Sequence, residues 1–208
     1  EYVGDHFKTR AYLSGFTGSA GTLLILPSRA LLWTDGRYFL QAESQLAGSG
    51  IELMRSGEPD VPTLERFLLA ELEDGSLLGF DARTVNTALA RRLGNKLRTK
   101  HIRFAGDEDL VDALWPDRPP LSAAPVWELG IDYAGEARAD KLARVRAAMA
   151  DEGADAFVVT ALDELAWLLD LRGNDVACTP VFLGFLLLTK EDAVLCARAG
   201  AVSEEVKA

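Results

Sequence analysis

The sequence predicts an α/β protein built from two tandem copies of one fold, each a mixed β-sheet flanked by helices. Short apolar runs of strand character alternate with longer helical patterns along the chain. A proline-rich segment divides the 208 residues near position 120, and the order of elements before it returns after it. We therefore expect one domain at residues 1–120 and a second, incomplete copy at 121–208.

The first domain is organised around residues 11–40. Residues 11–13 have a strand-like apolar pattern, and residues 22–26 and 30–33 predict a β-hairpin that turns at Pro27. A helix is expected from Tyr38 onward. Thr34 or Asp35 is expected to cap it, because a short side-chain oxygen can accept from the free N–H groups of a first helical turn. The elements predicted after it are strands at 51–54, 77–80 and 102–104 and helices at 64–72, 82–97 and 110–115.

The second half repeats this order. Residues 166–173 align weakly with residues 11–18, and a hairpin is predicted after each. The predicted elements are helices at 137–149 and 162–169, a buried strand at 156–160, a polar loop at 170–175, a central strand at 181–188 and a return strand at 193–196. Because no closing elements follow, we expect this copy to be incomplete.

Composition restricts the class of protein. The chain is 49% hydrophobic, which suits packed cores, and its formal net charge of −10 argues against nucleic acid or an anionic membrane as a partner. The longest apolar run, residues 181–188, is too short to span a bilayer. Neither a signal peptide nor a disulfide framework is visible, so Cys178 and Cys196 are expected as buried thiols in a cytoplasmic protein.

The residues predict no complete active site. Gly15, Gly18 and Gly21 are spaced G-x-x-G-x-x-G, which is neither the dinucleotide fingerprint nor a phosphate-binding loop and so favours a backbone role. The two histidines, His6 and His101, stand in no metal-binding motif. No catalytic or metal-ligating residue is therefore expected within this chain.

Two charged loops remain as candidate binding elements. Arg37 lies in the first, directly after the predicted hairpin, where its planar guanidinium could clamp a carboxylate or a carbonyl. Arg172 lies in the second, at residues 170–175. A solvated or paired surface role is the alternative for both arginines.

Four separate stretches resemble the N-terminal part of aminopeptidase P, the Xaa-Pro aminopeptidase family, in its three-domain cytosolic form. They are residues 12–22 (YLSGFTGSAGT), 33–38 (WTDGRY), 110–119 (LVDALWPDRP) and 160–182, which contains LDELAWLLDLRGNDV. The resemblance implies two creatinase-type N-terminal domains ahead of a pita-bread catalytic domain that is absent here. That third domain would hold two manganese ions on Asp, Asp, His, Glu and Glu side chains, and this fragment alone would bind none and be inactive.

The resemblance also implies a role for the fragment. The parent enzyme would release an N-terminal residue that precedes proline, and these domains would gate the substrate and support a homodimer. Arg37, the arginine of the W-T-D-G-R-Y motif, would contact the peptide substrate. Arg172 is a second candidate, for the cleft or the dimer interface.

Two alternatives stay open. Pita-bread relatives without peptidase activity use such domains to bind proteins, and the net charge of −10 would suit a basic partner. Creatinase or prolidase has one such N-terminal domain, and two predicted copies argue against it.

Overall fold

The computed structural model describes residues 3–207, with the exception of the Lys207 side chain, and it divides into two compact units. Unit 1 comprises residues 7–119. Unit 2 comprises the described residues 3–6 together with residues 120–207. A 3-10 turn, Asp5–Phe7, lies where the chain passes from the first segment of unit 2 to unit 1.

Unit 1 is a mixed sheet with helices on both faces. Its helices are α1 (Thr9–Ser14), α2 (Phe39–Leu46), α3 (Leu64–Glu71) and α4 (Thr87–Leu97), with 3-10 turns at Arg98–Lys100 and Asp112–Leu114. Its strands are β1 (Thr22–Ile25), β2 (Ala30–Thr34), β3 (Ile51–Arg55), β4 (Leu77–Gly79) and β5 (Arg103–Ala105). Antiparallel β1 and parallel β3 flank β2, while β4 and β5 form a separate parallel pair.

Alternating side chains of β1 and β2 supply both cores of unit 1. Leu24, Leu31 and Trp33 pack with buried residues of α3 and α4 on one face. Leu32 packs on the other face with Phe16 and with buried residues of α2. This alternation follows from the two-residue period of a strand, and it leaves the sheet covered on both sides.

Unit 2 contains a three-stranded antiparallel sheet in the order β10-β9-β7 and a short pair, β6 with β8. Its strands are β6 (Trp127–Glu128), β7 (Ala156–Val159), β8 (Leu171–Arg172), β9 (Gly184–Thr189) and β10 (Ala193–Ala197). Its helices are α5 (Ile131–Ala134), α6 (Arg138–Asp151), α7 (Leu162–Leu169) and α8 (Glu204–Lys207). A single buried cluster joins α6 and α7 to one face of the sheet.

The predicted repeat is visible in the order of elements. In each unit a helix ends at a residue in the left-handed conformation, Gly15 with φ 71° after α1 and Asp170 with φ 54° after α7. A β-hairpin with two residues at its tip then follows in both units. The α/β class and the helix-flanked sheets are therefore confirmed. The predicted mixed pairing is present in unit 1, whereas the described strands of unit 2 pair antiparallel.

Several local predictions are wrong. Residues 11–13 lie in helix α1 rather than in a strand, because the run is short and Gly15 provides a left-handed helix end. Residues 110–115 form only a 3-10 turn at Asp112–Leu114. The helix predicted from residue 82 begins at Thr87, because Asn86 caps it by accepting from the Leu89 N–H at 2.8 Å.

Burial was also predicted wrongly at three places. Strand β7 is mostly exposed, because it forms an edge of its sheet and is covered on one face only. Cys178 and Cys196 are both exposed: the first lies in a turn with φ 60°, and the second points away from the core of unit 2. Among the described residues, no helix is both long enough and apolar enough to cross a membrane.

Candidate functional site

The Arg37 corner is a tight turn at the end of β2. Strand β2 ends at Thr34, whose buried hydroxyl donates to the Ala20 carbonyl at 2.7 Å. The Tyr38 N–H then donates to the Asp35 carbonyl at 3.0 Å, which closes a turn before α2 begins at Phe39. Neither Thr34 nor Asp35 caps α2, so the predicted cap is wrong: both side chains are used inside the corner.

Asp35 orients Arg37. Its Oδ1 accepts from the Arg37 backbone N–H at 3.1 Å and from Nε at 2.9 Å, while Oδ2 accepts from Nη2 at 2.8 Å. These hydrogen bonds hold the pKa of the Asp35 carboxyl below its ordinary value. The Arg37 side chain remains 68% exposed, and its Cζ lies 5.3 Å from the centre of the Tyr38 ring. The corner therefore presents an oriented guanidinium to solvent.

The glycine loop, residues 15–21, packs directly behind this corner. A Cβ on Gly18 would lie 2.3 Å from Cζ of Phe16 and 2.9 Å from the Tyr38 ring, and one on Gly21 would lie 3.0 Å from the Trp33 carbonyl. The spacing therefore reflects close backbone approach at Gly18 and Gly21 and a left-handed helix end at Gly15. The backbone role predicted for these glycines is confirmed.

Arg10 holds the loop from within unit 1. Its Nη1 donates to the Gly21 carbonyl at 2.6 Å and its Nη2 donates to the Gly18 carbonyl, while its Cζ lies 5.4 Å from the centre of the Phe16 ring. Burial lowers the pKa of Arg10. The loop also contacts the corner, since the Ser19 and Tyr38 hydroxyls are hydrogen-bonded at 2.6 Å. Arg10 thus fixes the loop on which the Tyr38 side chain rests.

No sequence pattern indicates these supporting residues. Arg10 lies in a polar stretch, outside every pattern that pointed to Arg37, and the contact between Ser19 and Tyr38 joins residues 19 positions apart. Only the fold brings such residues together, so a single sequence without known contacts could not have identified them.

Arg172 is turned toward the backbone of its own unit. It lies in strand β8 rather than in the loop predicted at residues 170–175, and its Nη1 donates to the carbonyls of Ala166 at 2.6 Å and Leu171 at 2.9 Å. The Ala166 carbonyl also accepts from the Asp170 N–H at the end of α7, so Arg172 adds a cation beside the negative end of this helix, which stabilises it. This arrangement gives Arg172 a structural role in unit 2.

A buried ion pair lies beside Arg172. The Lys141 side chain is 1% exposed, and its ammonium bonds to the Asp170 carboxylate and donates to the Trp167 carbonyl at 3.1 Å. It also lies 5.0 Å from the centre of the Trp167 ring. These contacts join α6 to the left-handed end of α7 and hold the start of the predicted polar loop.

Metal-binding side chains are not clustered among the described residues. No group of three or more His, Cys, Asp or Glu side chains among them is placed to hold a metal ion. The His101 Nδ1 lies 2.9 Å from Asp74 on the surface of unit 1, where it forms an isolated pair. The residues described here therefore do not by themselves fit a dinuclear metal centre, and the oriented guanidinium of Arg37 is exposed to solvent.

Family comparisons agree with the architecture. A family model described as the Creatinase/Prolidase N-terminal domain matches residues 6–114, and a second family model with the same description matches residues 117–208. These two segments contain the two hairpins and the helix ends that precede them.

Curated relatives are similar along nearly the whole chain. A probable Xaa-Pro aminopeptidase P from Laccaria bicolor is 42% identical over 94% of this chain, and aminopeptidase P2 from Arabidopsis thaliana is 40% identical over all of it. The match covers only 30% and 29% of those two proteins. The chain thus spans less than a third of the length of these relatives.

A solved structure is also similar along the whole of this chain and longer than it. The X-prolyl aminopeptidase of Caenorhabditis elegans, a cytosolic enzyme with a di-nuclear active site, matches with a TM-score of 0.92 and 33% identity over 100% of this chain and 34% of its own. The resemblance to the aminopeptidase P family is confirmed. The chain belongs to the creatinase/prolidase N-terminal domain family, with two such domains in tandem, and corresponds to the N-terminal part of Xaa-Pro aminopeptidases.

Proposed function

We propose that this chain is the non-catalytic N-terminal part of an Xaa-Pro aminopeptidase, in which Arg37 binds the peptide substrate. The observation that carries this proposal is the exposed guanidinium of Arg37, oriented by a bidentate pair with Asp35 at the end of a buried strand. The relatives are named for release of a residue next to proline, and that activity requires recognition of a peptide backbone.

The chemistry of the corner suits a peptide. A guanidinium offers several N–H groups in one plane, which match the carbonyl or carboxylate oxygens of a peptide. Asp35 fixes the plane and partly balances the charge, so a ligand oxygen would bind beside this carboxylate or in its place. Because the glycine loop and Tyr38 hold the turn, little ordering of Arg37 is needed on binding, which favours affinity.

Other parts of the proposal concern the parent enzyme. Two manganese ions would be held by a catalytic domain outside the residues described here, where they would act as Lewis acids and activate water. We further propose a cytoplasmic enzyme that forms a homodimer, with Arg172 near the cleft or the interface. The C. elegans relative is described as cytosolic and dinuclear, which supports the compartment and the number of metal ions.

The test is the Arg37→Ala variant of the full-length protein, assayed on a peptide with proline in second position. Loss of charge-assisted hydrogen bonds removes about 1.5–3 kcal/mol of binding free energy. We therefore expect kcat/KM to fall by about tenfold to a hundredfold, mainly through KM, with the metal content unchanged. Steady-state kinetics and metal analysis measure both quantities.

The matched control is Arg91→Ala, which removes an exposed arginine of α4 in the same unit and should leave kcat/KM unchanged. Residues 1–208 alone, supplied with manganese, serve as the negative control and should hydrolyse no peptide. Kinetics of Arg37→Ala equal to wild type would remove Arg37 from the site. Hydrolysis by residues 1–208 would show that the chain is catalytic after all.

A further inference from the structure

One face of the unit 2 sheet is apolar and uncovered by any described residue. Its side chains come from all three strands and alternate with buried ones. We define the bare face as a set of five exposed residues: Val158, Phe185, Leu187, Val194 and Cys196. Val158 is 54% exposed and Phe185 is 50% exposed. Leu187 lies opposite Val194 on one side and Val158 on the other, so the set is contiguous across the sheet.

The opposite face of this sheet forms the core of unit 2. Leu186 and Leu188 of β9 are fully buried there, and Leu195 of β10 packs against the same cluster. Buried and exposed apolar residues therefore alternate along β9 and β10. Solvent-facing positions of a strand are normally polar, so an apolar set on the outer face indicates a surface that is normally covered.

The hairpins of the two units correspond residue for residue. In unit 1 the Leu26 N–H donates to the Arg29 carbonyl at 2.9 Å, and in unit 2 the Thr189 N–H donates to the Asp192 carbonyl at 2.9 Å. Each bond encloses a two-residue tip and fixes the same register. The bare-face residues Leu187, Val194 and Cys196 therefore correspond to Leu24, Leu31 and Trp33 of unit 1.

In unit 1 those corresponding residues are covered by helices. Leu24, Leu31 and Trp33 are buried against α3 and α4, and the Trp33 ring meets the Phe67 ring edge to face at 5.2 Å. These helices follow β3, which pairs in parallel with β2 from Ala30 to Thr34. In unit 2 the outer edge of β10 has no strand paired with it among residues 3–207.

The order of elements in unit 2 agrees with that of unit 1 as far as the structure describes it. In unit 1, α2 follows the end of β2 after a short connection, and in unit 2, α8 follows the end of β10 in the same way. The next elements of unit 1 are β3, α3 and α4. Their counterparts would belong to the polypeptide beyond Ala208. The relatives are long enough to contain such elements, because this chain matches only 30% and 29% of their length.

We propose that a segment of the same polypeptide, following Ala208 in the full-length protein, completes the unit 2 sheet. It adds a parallel strand to the edge of β10 and lays two amphipathic helices on the bare face. The bare face is thus an intramolecular docking surface for an apolar helix pair. This inference goes beyond the role of Arg37 and stands or falls independently of it.

A second copy of the chain is a poorer occupant. Stable dimers bury about 20–30 residues a side, whereas the bare face has five side chains. A net charge of −10 on each copy also opposes self-association. The repeat, in contrast, identifies elements of the right chemistry in the right order.

Cys196 provides a probe because it lies on the bare face, at the position of buried Trp33. We would label residues 1–208 and the full-length protein with a maleimide under native conditions and follow Cys196 and Cys178 by peptide mass spectrometry. Residues 1–208 would be kept dilute and monomeric. We expect Cys196 to react at least tenfold more slowly in the full-length protein, with exposed Cys178 reporting that the reagent is active. Equal Cys196 rates in the two proteins would overturn the proposal.

A photo-crosslink then identifies what covers the face. Benzoylphenylalanine in place of Cys196 of the full-length protein has an aromatic size close to that of Trp33. On irradiation we expect it to attach within the same chain, to a segment that begins shortly after Ala208 and ends near residue 260, the position corresponding to the end of α4. A crosslink to a second copy, or to a segment farther along the chain, would contradict the proposal.

Discussion

Gly18 shows how strongly a single residue can constrain the candidate site. It is buried, and an added methyl group would overlap Cζ of Phe16, whose ring is fully buried. Tyr38, the residue after Arg37, lines the other side of the same position. The Phe16 ring cannot move without disturbing the packing of the loop against the sheet.

We therefore predict that Gly18→Ala lowers the free energy of unfolding by about 1–3 kcal/mol, the typical effect of overpacking. Urea denaturation of residues 1–208 measures this change. Gly94→Ala is the matched control: Gly94 lies inside α4, and its added Cβ would meet Phe104 at an ordinary 3.9 Å. Since alanine favours a helix over glycine, that variant should gain about 0.5–1 kcal/mol. Equal effects of the two substitutions would contradict the packing described for Gly18.

The sequence could predict residue types at the site but not their partners. The pattern at residues 33–38 pointed to Arg37, and the glycine spacing pointed to a backbone role, because both depend on local order along the chain. Asp35 was expected to cap a helix, and instead it holds Arg37. That choice depends on where α2 begins and on the contact between Tyr38 and Ser19, which local sequence does not encode.

Among the elements, α6 and α7 are joined by a buried charge pair. Lys141 and Asp170 are both buried, and Asp170 also provides the left-handed end of α7. Removing one partner of such a pair leaves the other charge buried without compensation, which costs far more than the pair itself contributes.

We predict that Lys141→Met destabilises unit 2 by about 3–5 kcal/mol, because Asp170 is left as an unpaired buried carboxylate. The double variant Lys141→Met with Asp170→Asn should recover more than half of this loss, since asparagine is neutral and tolerates the left-handed conformation. Hydrogen exchange resolved by unit is the measurement, because a chain of two units need not unfold in one step. A double variant as unstable as Lys141→Met alone would show that lost packing, rather than lost pairing, is responsible.

Helices with a long sequence pattern could be predicted. The type of a very short element and the burial of a strand could not. Helix α7 was predicted with its observed bounds, because an eight-residue amphipathic pattern between clear breaks is a local property. A three-residue apolar run at residues 11–13 could not separate helix from strand. Strand β7 was expected to be buried because it is apolar, yet its burial depends on which elements lie against it, and residues 3–207 cover one face only.

At the scale of the whole molecule, two units follow one another along the chain. Apart from residues 3–6, which group with unit 2, the contacts of the described residues group on either side of the bond between Pro119 and Pro120. Trp115 stacks on Tyr12 with ring centres 4.3 Å apart, and Arg118 bonds to Asp109 at 2.5 Å, so the first part of the predicted linker is fixed to unit 1. Proline composition predicts where a chain cannot continue a helix or a central strand, but it does not reveal such contacts.

We propose that the domain boundary lies at residue 120, and limited proteolysis tests it. Residues 119–125 have no regular structure, and Leu121 is 46% exposed, so a protease can bind this backbone without unfolding either unit. Elastase, which cuts after small residues, should first cleave the native chain near Ala123, and a denaturing gel should show two stable fragments of about 123 and 85 residues. Ala193, the first residue of β10, is an internal comparison: it is small and exposed as well, but its pairing with Leu188 in the sheet should slow cleavage there at least tenfold. A first cut within either unit would place the boundary elsewhere.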